Sequence, residues 1–385
     1  MKIIEISVSG YKLLEDDFTI NFLTKARVNE IDKANEVILL DQGLFLPTTT
    51  VITGKNSSGK TSLLKLINNV SELLSSGRIK YNSLDFRNEF ISLKLYFYMD
   101  GEIYFYEGKF KKNSNLAISD DSFCSIFDEK LMKKRYVKSY GKNLNKICFE
   151  LVKGIDSKVD DTSILYNVTV NKTFFIYTDT FALQNSISSA LYLMKRSGMS
   201  NDLRLKIINL FDDNILSFDY DENSEIFDVN INGIGQKKYS VSDMNSIFSD
   251  GTKKGLMLFA LSMYTLKYGG TFIIDEIENS FNKNLVENIM IIFNDKRINR
   301  KKANLIFSTH YVEIVDSLRR MDNIFIMKKK KYVSIKNLYT DYNDRVVLSR
   351  SNKFNNNSYN TLLNYEQLMK VKRGLIDEIY DSSRR

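Results

Sequence analysis

Thr49-Thr50-Val51-Ile52-Thr53 runs directly into Gly54-Lys55-Asn56-Ser57-Ser58-Gly59-Lys60-Thr61, and this junction decides how the chain folds. The second segment matches G-x-x-x-x-G-K-[ST] in full, in the context that the motif requires: a buried strand before it and a helix after it. Its glycines let backbone N–H groups turn inward on phosphates, and the helix start adds partial positive charge. Residues Gly54, Lys55, Asn56, Ser57, Ser58, Gly59, Lys60, Thr61 and Ser62 therefore form the expected nucleotide cradle. Lys60 is expected to reach the β- and γ-phosphates and Thr61 to supply a hydroxyl to Mg²⁺. An amphipathic helix over 62–76 follows, with Leu63, Leu64, Leu66, Ile67 and Val70 on its buried side.

Outward toward the C-terminus, strand and helix patterns alternate: helix 252–267, strand 271–275, helix 283–294, strand 304–308, helix 311–319 and strand 323–327. That order predicts an α/β fold, a mixed or parallel sheet flanked by helices. Two strand ends carry chemistry. Thr271-Phe272-Ile273-Ile274 leads into Asp275-Glu276, which suits Asp275 to Mg²⁺, directly or through its water shell, and Glu276 to the attacking water as general base. Neighbouring side chains on a strand point to opposite faces, so two roles are geometrically sensible. Asn304-Leu305-Ile306-Phe307-Ser308-Thr309 ends on His310, the chain's one histidine, placed to donate to the γ-phosphate. Phe248-Ser249-Asp250-Gly251-Thr252 opens the first of these helices. A serine hydroxyl and glycine N–H groups at a helix start make a second anion site. Because the chain already has one phosphate loop, Ser249, Asp250, Gly251 and Thr252 are expected to meet the nucleotide of a second subunit.

Residues 2–9 and 17–23 alternate as strands, and a polar stretch at 24–38 connects them onward. Phe90–Tyr98 and Glu102–Lys111 flank Met99-Asp100-Gly101, a hairpin signal. Residues 112–175 are polar and weakly patterned, and helical patterns follow at 180–196 and 201–212. Leu216–Tyr220 and Ile226–Asn230 form a further hairpin, and a charged helix is expected at 361–381. The expected organisation is an N-terminal ATPase lobe with a β-rich arm (1–111) and an inserted, mostly helical lobe (112–214). A C-terminal ATPase lobe (215–340) and a charged helical tail (341–385) complete it.

The 385 residues carry a formal charge of +8, which permits an anionic partner such as nucleic acid, although Lys- and Asn-rich composition alone accounts for it. Lys130–Lys138, Lys296–Lys302 and Lys328–Lys331 are basic clusters, but no aromatic interleaving or reader motif accompanies them. Cys124 and Cys148 form no CxxC pair or disulfide framework. No run approaches the roughly 18 apolar residues of a membrane span, so a soluble, cytoplasmic chain is expected. A single histidine, engaged elsewhere, argues against HNH nucleases and His-dependent ribonucleases. Asp219-Tyr220-Asp221 is a D-x-D in a hairpin and reads as a turn of solvated acids.

Taken together, these motifs resemble ABC-type ATPases of the RecF/SMC/Rad50 group, most closely the AAA15 (AbiLii-like) ATPases of bacterial anti-phage defence. Phe248-Ser249-Asp250-Gly251-Thr252-Lys253-Lys254 is similar to that family's L-S-S-G-T-K-[RK] signature, with Phe248 and Asp250 as departures. Asp275-Glu276-Ile277-Glu278-Asn279-Ser280 is similar to its D-E-[IP]-[ED]-x-x segment, whose end, here Asn279 and Ser280, is the dimer-contacting D-loop; the proline often found beyond it is replaced by Asn282-Lys283. Met1-Lys2-Ile3-Ile4-Glu5-Ile6 through Tyr11-Lys12 corresponds to the family's first strand and its turn near the nucleotide, which makes Tyr11 and Lys12 expected contacts. Gln184 is the one residue suggested for a Mg²⁺-sensing glutamine loop, and no heptad run supports coiled-coil arms. The resemblance implies two ATP molecules sandwiched in a homodimer or larger even-numbered assembly. It also implies an effector on a separate protein; the alternative is a RecF-like clamp on DNA.

Overall fold

The computed structural model describes residues 1–111, 123–154, 162–172, 174–179, 187–221, 224–279, 281–311, 313–342, 350–355, 369–373 and 375. Its centre is a six-stranded sheet in the order Phe175–Asp179, Thr271–Asp275, Asn304–Ser308, Thr49–Gly54, Ile324–Lys329, Val333–Asn337. The first five run parallel and the last closes an antiparallel edge. The predicted α/β class with a mixed, helix-flanked sheet is the fold observed.

The strands are short apolar runs because both sheet faces are covered. Their side chains alternate between two cores. Ile52, Ile273, Ile306, Phe325 and Met327 join one core, built with helix Lys60–Ser76 and an antiparallel N-terminal sheet. Val51, Phe272, Ile274, Leu305, Phe307, Ile324 and Ile326 join the other. Helices Ile187–Arg196, Asp250–Tyr268 and Lys283–Asn294 cover that second face.

The N-terminal sheet has six antiparallel strands: Phe18–Asn21, Lys2–Ser9, Phe90–Met99, Glu102–Lys111, Ser125–Arg135 and Glu150–Leu151. Helix Lys60–Ser76 is wedged between the two sheets, so Leu63, Leu64, Leu66, Ile67, Val70, Leu73 and Leu74 are all buried. A three-stranded meander, Ile215–Asp221, Ile226–Ile231 and Gly235–Ser240, leads through helix Val241–Ile247 into Asp250–Tyr268.

Residues 112–214 differ from the expected helical lobe. Their first half extends the N-terminal sheet by two strands, and Phe175–Asp179 forms an edge of the central sheet. Helices Ile187–Arg196 and Asn201–Ile208 lie only in the second half. Ser125–Arg135 is Lys-rich and mostly half-exposed, so its alternation was too weak to read as a strand. The helix expected over 311–319 is the single turn Ile314–Ser317. Helix Asp250–Tyr268 begins two residues earlier than expected and stops at Gly269, whose φ of +75° terminates it. Most of the expected tail helix over 361–381 lies outside the described residues, as does Gln184.

Two of the three basic clusters are engaged within the fold. Lys296 and Lys302 donate to the carbonyls of Val37 and Leu39 at 2.6 and 2.8 Å. Lys133 pairs with Glu102 at 2.8 Å and Lys134 with Glu150. Lys330 and Lys331 lie at the hairpin tip expected for Lys328–Lys331, while Lys328 and Lys329 end the strand that leads into it.

Candidate functional site

The phosphate loop exists because its glycines adopt backbone conformations that other residues resist. Gly54 has a φ of +152°, and a Cβ there would sit 2.6 Å from the Met327 carbonyl oxygen. Gly59 has a φ of +100°, with Val333 Cγ1 2.8 Å from where a Cβ would lie. Ser57 is also left-handed, at φ +59°. The helix Lys60–Ser76 then starts without a side-chain cap, so its first N–H groups have no intrahelical acceptor. Ser58 Oγ is buried and has no hydrogen-bond partner among the described residues.

Lys60 Nζ donates to the carbonyls of Gly54 and Lys55 at 3.1 and 3.2 Å. Burial lowers its pKa, and the nearby carboxylates of Glu278, Glu276 and Asp275 oppose that shift. A cleft of roughly 770 Å³ opens over the loop, lined by Asn56 to Ser62, Glu276, Glu278, Asn279 and His310. The structure thus brings together Lys60, Thr61, Ser62, Glu276, Asn279 and His310 from three separate stretches of sequence.

Strand register makes the opposite wall. Ile274 pairs with Phe307 on neighbouring parallel strands, which sets Asp275 beside Ser308 one residue on. Ser308 Oγ donates to Asp275 Oδ1 at 2.5 Å and accepts the Glu276 N–H at 2.7 Å. Asp275 is buried and does not itself line the cleft, whereas Glu276 is 41% exposed in its side chain. Glu276 sits at φ +49°, a left-handed conformation unfavourable for a non-glycine residue. Asn279 Nδ2 donates to Glu276 Oε2 at 2.6 Å, and His310 Nε2 lies 4.0 Å from Glu276 Oε1. Burial, then the charge of Lys60, lowers the His310 pKa, against the pull of Glu278, Glu276 and Asp275. The imidazole is therefore neutral near pH 7, with one N–H donor and one acceptor. Its backbone N–H is held by Glu278 Oε1 at 2.5 Å.

Ser308 and Glu278 are the site residues that sequence reasoning missed. Glu278 was visible as the second acid after Asp275, but nothing local pointed to its partner 32 residues on.

Other expected contacts lie apart from this cleft. Ser249 caps helix Asp250–Tyr268, its Oγ accepting the Thr252 N–H at 3.1 Å, while Asp250 pairs with Lys253 at 2.8 Å. Ser249, Asp250, Gly251 and Thr252 do not line the cleft of their own chain. Lys12 is left-handed at φ +44° and pairs with Asp85 at 2.7 Å rather than lining the cleft. Tyr11 is fully buried. This turn is linked to the phosphate loop through Val333, whose N–H donates to the Leu13 carbonyl and which packs on Gly59. Ser280 lies outside the described residues. Asp219 and Asp221 lie on strand Ile215–Asp221 with local partners, Asn201 and Tyr220 for the first and Ser224 for the second.

The residues present fit a nucleoside triphosphate and Mg²⁺. A left-handed loop that a Cβ would block, an orphan buried hydroxyl and an uncapped helix start suit phosphate oxygens. Thr61 and Asp275 offer the hydroxyl and carboxylate oxygens that Mg²⁺ takes alongside phosphates and water. Five parallel strands, a phosphate loop after one of them and an acidic pair at the end of another define a P-loop ATPase. The chain belongs to the family described as "AAA domain, putative AbiEii toxin, Type IV TA system", whose model matches residues 49–316. No curated protein matches the chain. No helix among the described residues is long and apolar enough to cross a membrane.

Proposed function

We propose that the protein hydrolyses ATP with Mg²⁺ and uses the nucleotide state to open and close a homodimer that governs a separate effector. The observation that carries this reading is the facing of Glu276 and His310, 4.0 Å apart, across one cleft from Lys60 and Thr61. Glu276, held by Ser308 and Asn279, orients and deprotonates the attacking water. Lys60 leaves the loop carbonyls for the β- and γ-phosphates, and neutral His310 donates to the γ-phosphate. Mg²⁺, held by Thr61 and Asp275, would neutralise charge developing on the transferred phosphoryl group.

Dimerisation is supported by the exposed signature turn. Asp250 and Gly251 sit at the start of a 19-residue helix away from their own cleft. A second copy supplies the partner that this arrangement lacks. Binding then favours the closed dimer and hydrolysis releases it, since ATP is contacted from both sides only when closed. A defence role is supported by the family description and by the resemblance to AAA15 ATPases.

A DNA clamp is the second reading. It is favoured by an adjoining cleft where Lys55, Lys328, Lys329, Lys330 and Lys336 face Glu15 and Asp341. Affinity capture of Glu276→Gln protein with Mg-ATP from its native host, read by mass spectrometry and nucleic-acid staining, separates the two. A stoichiometric protein without nucleic acid supports the effector reading. Recovered DNA without a protein partner sinks it.

A further inference from the structure

Glu278 has no part in the mechanism above, yet it lines the same cleft. We propose that Glu278 is a positioning residue for hydrolysis: its carboxylate grips the His310 main chain and links the Asp275–Asn279 segment to the imidazole at the γ-phosphate. The proposal rests on the reading of the site as hydrolytic, but the contact it invokes can be measured without turnover.

The main-chain N–H groups of Thr309, His310 and Tyr311 are each held by a hydrogen bond. Thr309 N–H donates to the Ile52 carbonyl at 3.0 Å, which ties the loop to the phosphate-loop strand. Tyr311 N–H donates to Thr309 Oγ1 at 2.9 Å, a local turn. The third is Glu278 Oε1 on the His310 N–H, and it alone comes from the segment that carries Glu276 and Asn279. Fully buried Ile277 anchors the single turn Ile277–Asn279 on which Glu278 stands. A shift of that turn, such as contact with a second subunit at Asn279 would cause, therefore reaches the His310 main chain directly through this bond, beside the Glu276–Ser308 bond two residues upstream.

The other oxygen of Glu278, Oε2, is buried with no hydrogen-bond partner among the described residues. Leaving a carboxylate oxygen so placed is costly, and a glutamine could bond the same N–H without burying a charge. Oε1 is the atom that sets the position of His310, and a glutamine oxygen can take its place.

Because the chain has a single histidine, ¹⁵N-histidine labelling gives one backbone amide resonance, that of His310. A short hydrogen bond to a carboxylate should place this proton well downfield in the wild type. Glu278→Gln keeps an acceptor and should shift it modestly upfield, whereas Glu278→Ala should move it into the range of unbonded amides. In parallel, Glu278→Ala should lower kcat by roughly 10- to 100-fold, as misplacing one group does. KM for Mg-ATP should stay within about twofold, and Glu278→Gln should recover at least about a third of the wild-type kcat.

An amide unmoved by Glu278→Ala overturns the proposal, as does equal kcat loss in Gln and Ala, or a change confined to KM. If Glu278→Ala does not fold, Glu278→Asp withdraws the carboxylate by one methylene and takes its place with the same expectations. A wild type without ATPase activity sinks the hydrolytic reading and the positioning role with it. An unmoved amide in an active enzyme sinks the positioning role alone.

Discussion

Replacing Ser308 with alanine tests the wall of the site at its centre. Ser308 is fully buried, and its hydroxyl makes two bonds: a 2.5 Å donation to the Asp275 carboxylate and a 2.7 Å acceptance from Glu276 N–H. A hydrogen bond to a charged group contributes about 1.5–3 kcal/mol and one between neutral groups about 0.5–1.5 kcal/mol. Ser308→Ala should therefore destabilise the fold by about 2–4 kcal/mol. The same bond helps hold Glu276 at φ +49°, a conformation that costs about 1–3 kcal/mol and persists only where surroundings enforce it. Releasing it lets Glu276, the proposed general base, drift, so kcat should fall on the order of 100-fold. Urea unfolding and steady-state ATPase assays read the two effects. Ser262→Ala is the control: that hydroxyl is also buried but has no hydrogen-bond partner among the described residues. Its removal should be neutral or slightly stabilising. If Ser308→Ala matched Ser262→Ala in both assays, the argument that Ser308 organises Asp275 and Glu276 would be wrong.

Glu276→Gln should cut kcat by at least about 100-fold while leaving ATP binding intact, as expected for loss of a general base. Size-exclusion chromatography with Mg-ATP should then show an accumulated dimer, and a permanently monomeric variant would refute dimer closure. Gly54→Ala places a Cβ 2.6 Å from the Met327 carbonyl oxygen at φ +152°. It should cost about 1–3 kcal/mol of stability and weaken binding of a fluorescent ATP analogue, and unchanged binding would show that the loop tolerates what its geometry forbids. Lys2 is buried against the carbonyls of Gly269 and Gly270, and burial, then Lys302, lowers its pKa from 10.5 to about 7. Between those values the unfolded chain binds more protons than the folded one, so this group makes stability rise with pH across that window. Lys2→Met should remove that rise, and wild-type and variant urea midpoints that stay parallel from pH 7 to 10 would contradict the burial argument.

How much of the site could be read from sequence depended on whether its parts were local. The phosphate loop was fully legible, because strand, glycine turn and helix start are contiguous and each residue's conformational demand is its own. Asp275, Glu276 and His310 were legible as the ends of apolar runs. The extra strands at 125–135 and 150–151 were not: half-exposed lysines blur the period-two pattern of the first, and the second is two exposed residues, too short to show a period. Nor was the pairing of Lys12 with Asp85, which brings together residues from separate loops.

The sequence by itself determined the α/β class, the phosphate cradle and the identities of the acidic pair and the histidine. Periodicity and motif spacing are properties of neighbouring residues, and they survive without knowledge of the fold. Only the tertiary structure decided that Ser308 joins Asp275 to Glu276 and that Glu278 holds His310. The first contact follows from the register of strands Thr271–Asp275 and Asn304–Ser308, and the second from the turn Ile277–Asn279 that follows one of them. That register is set by packing two apolar faces into two cores, and a one-residue slip would turn every such side chain to the opposite face.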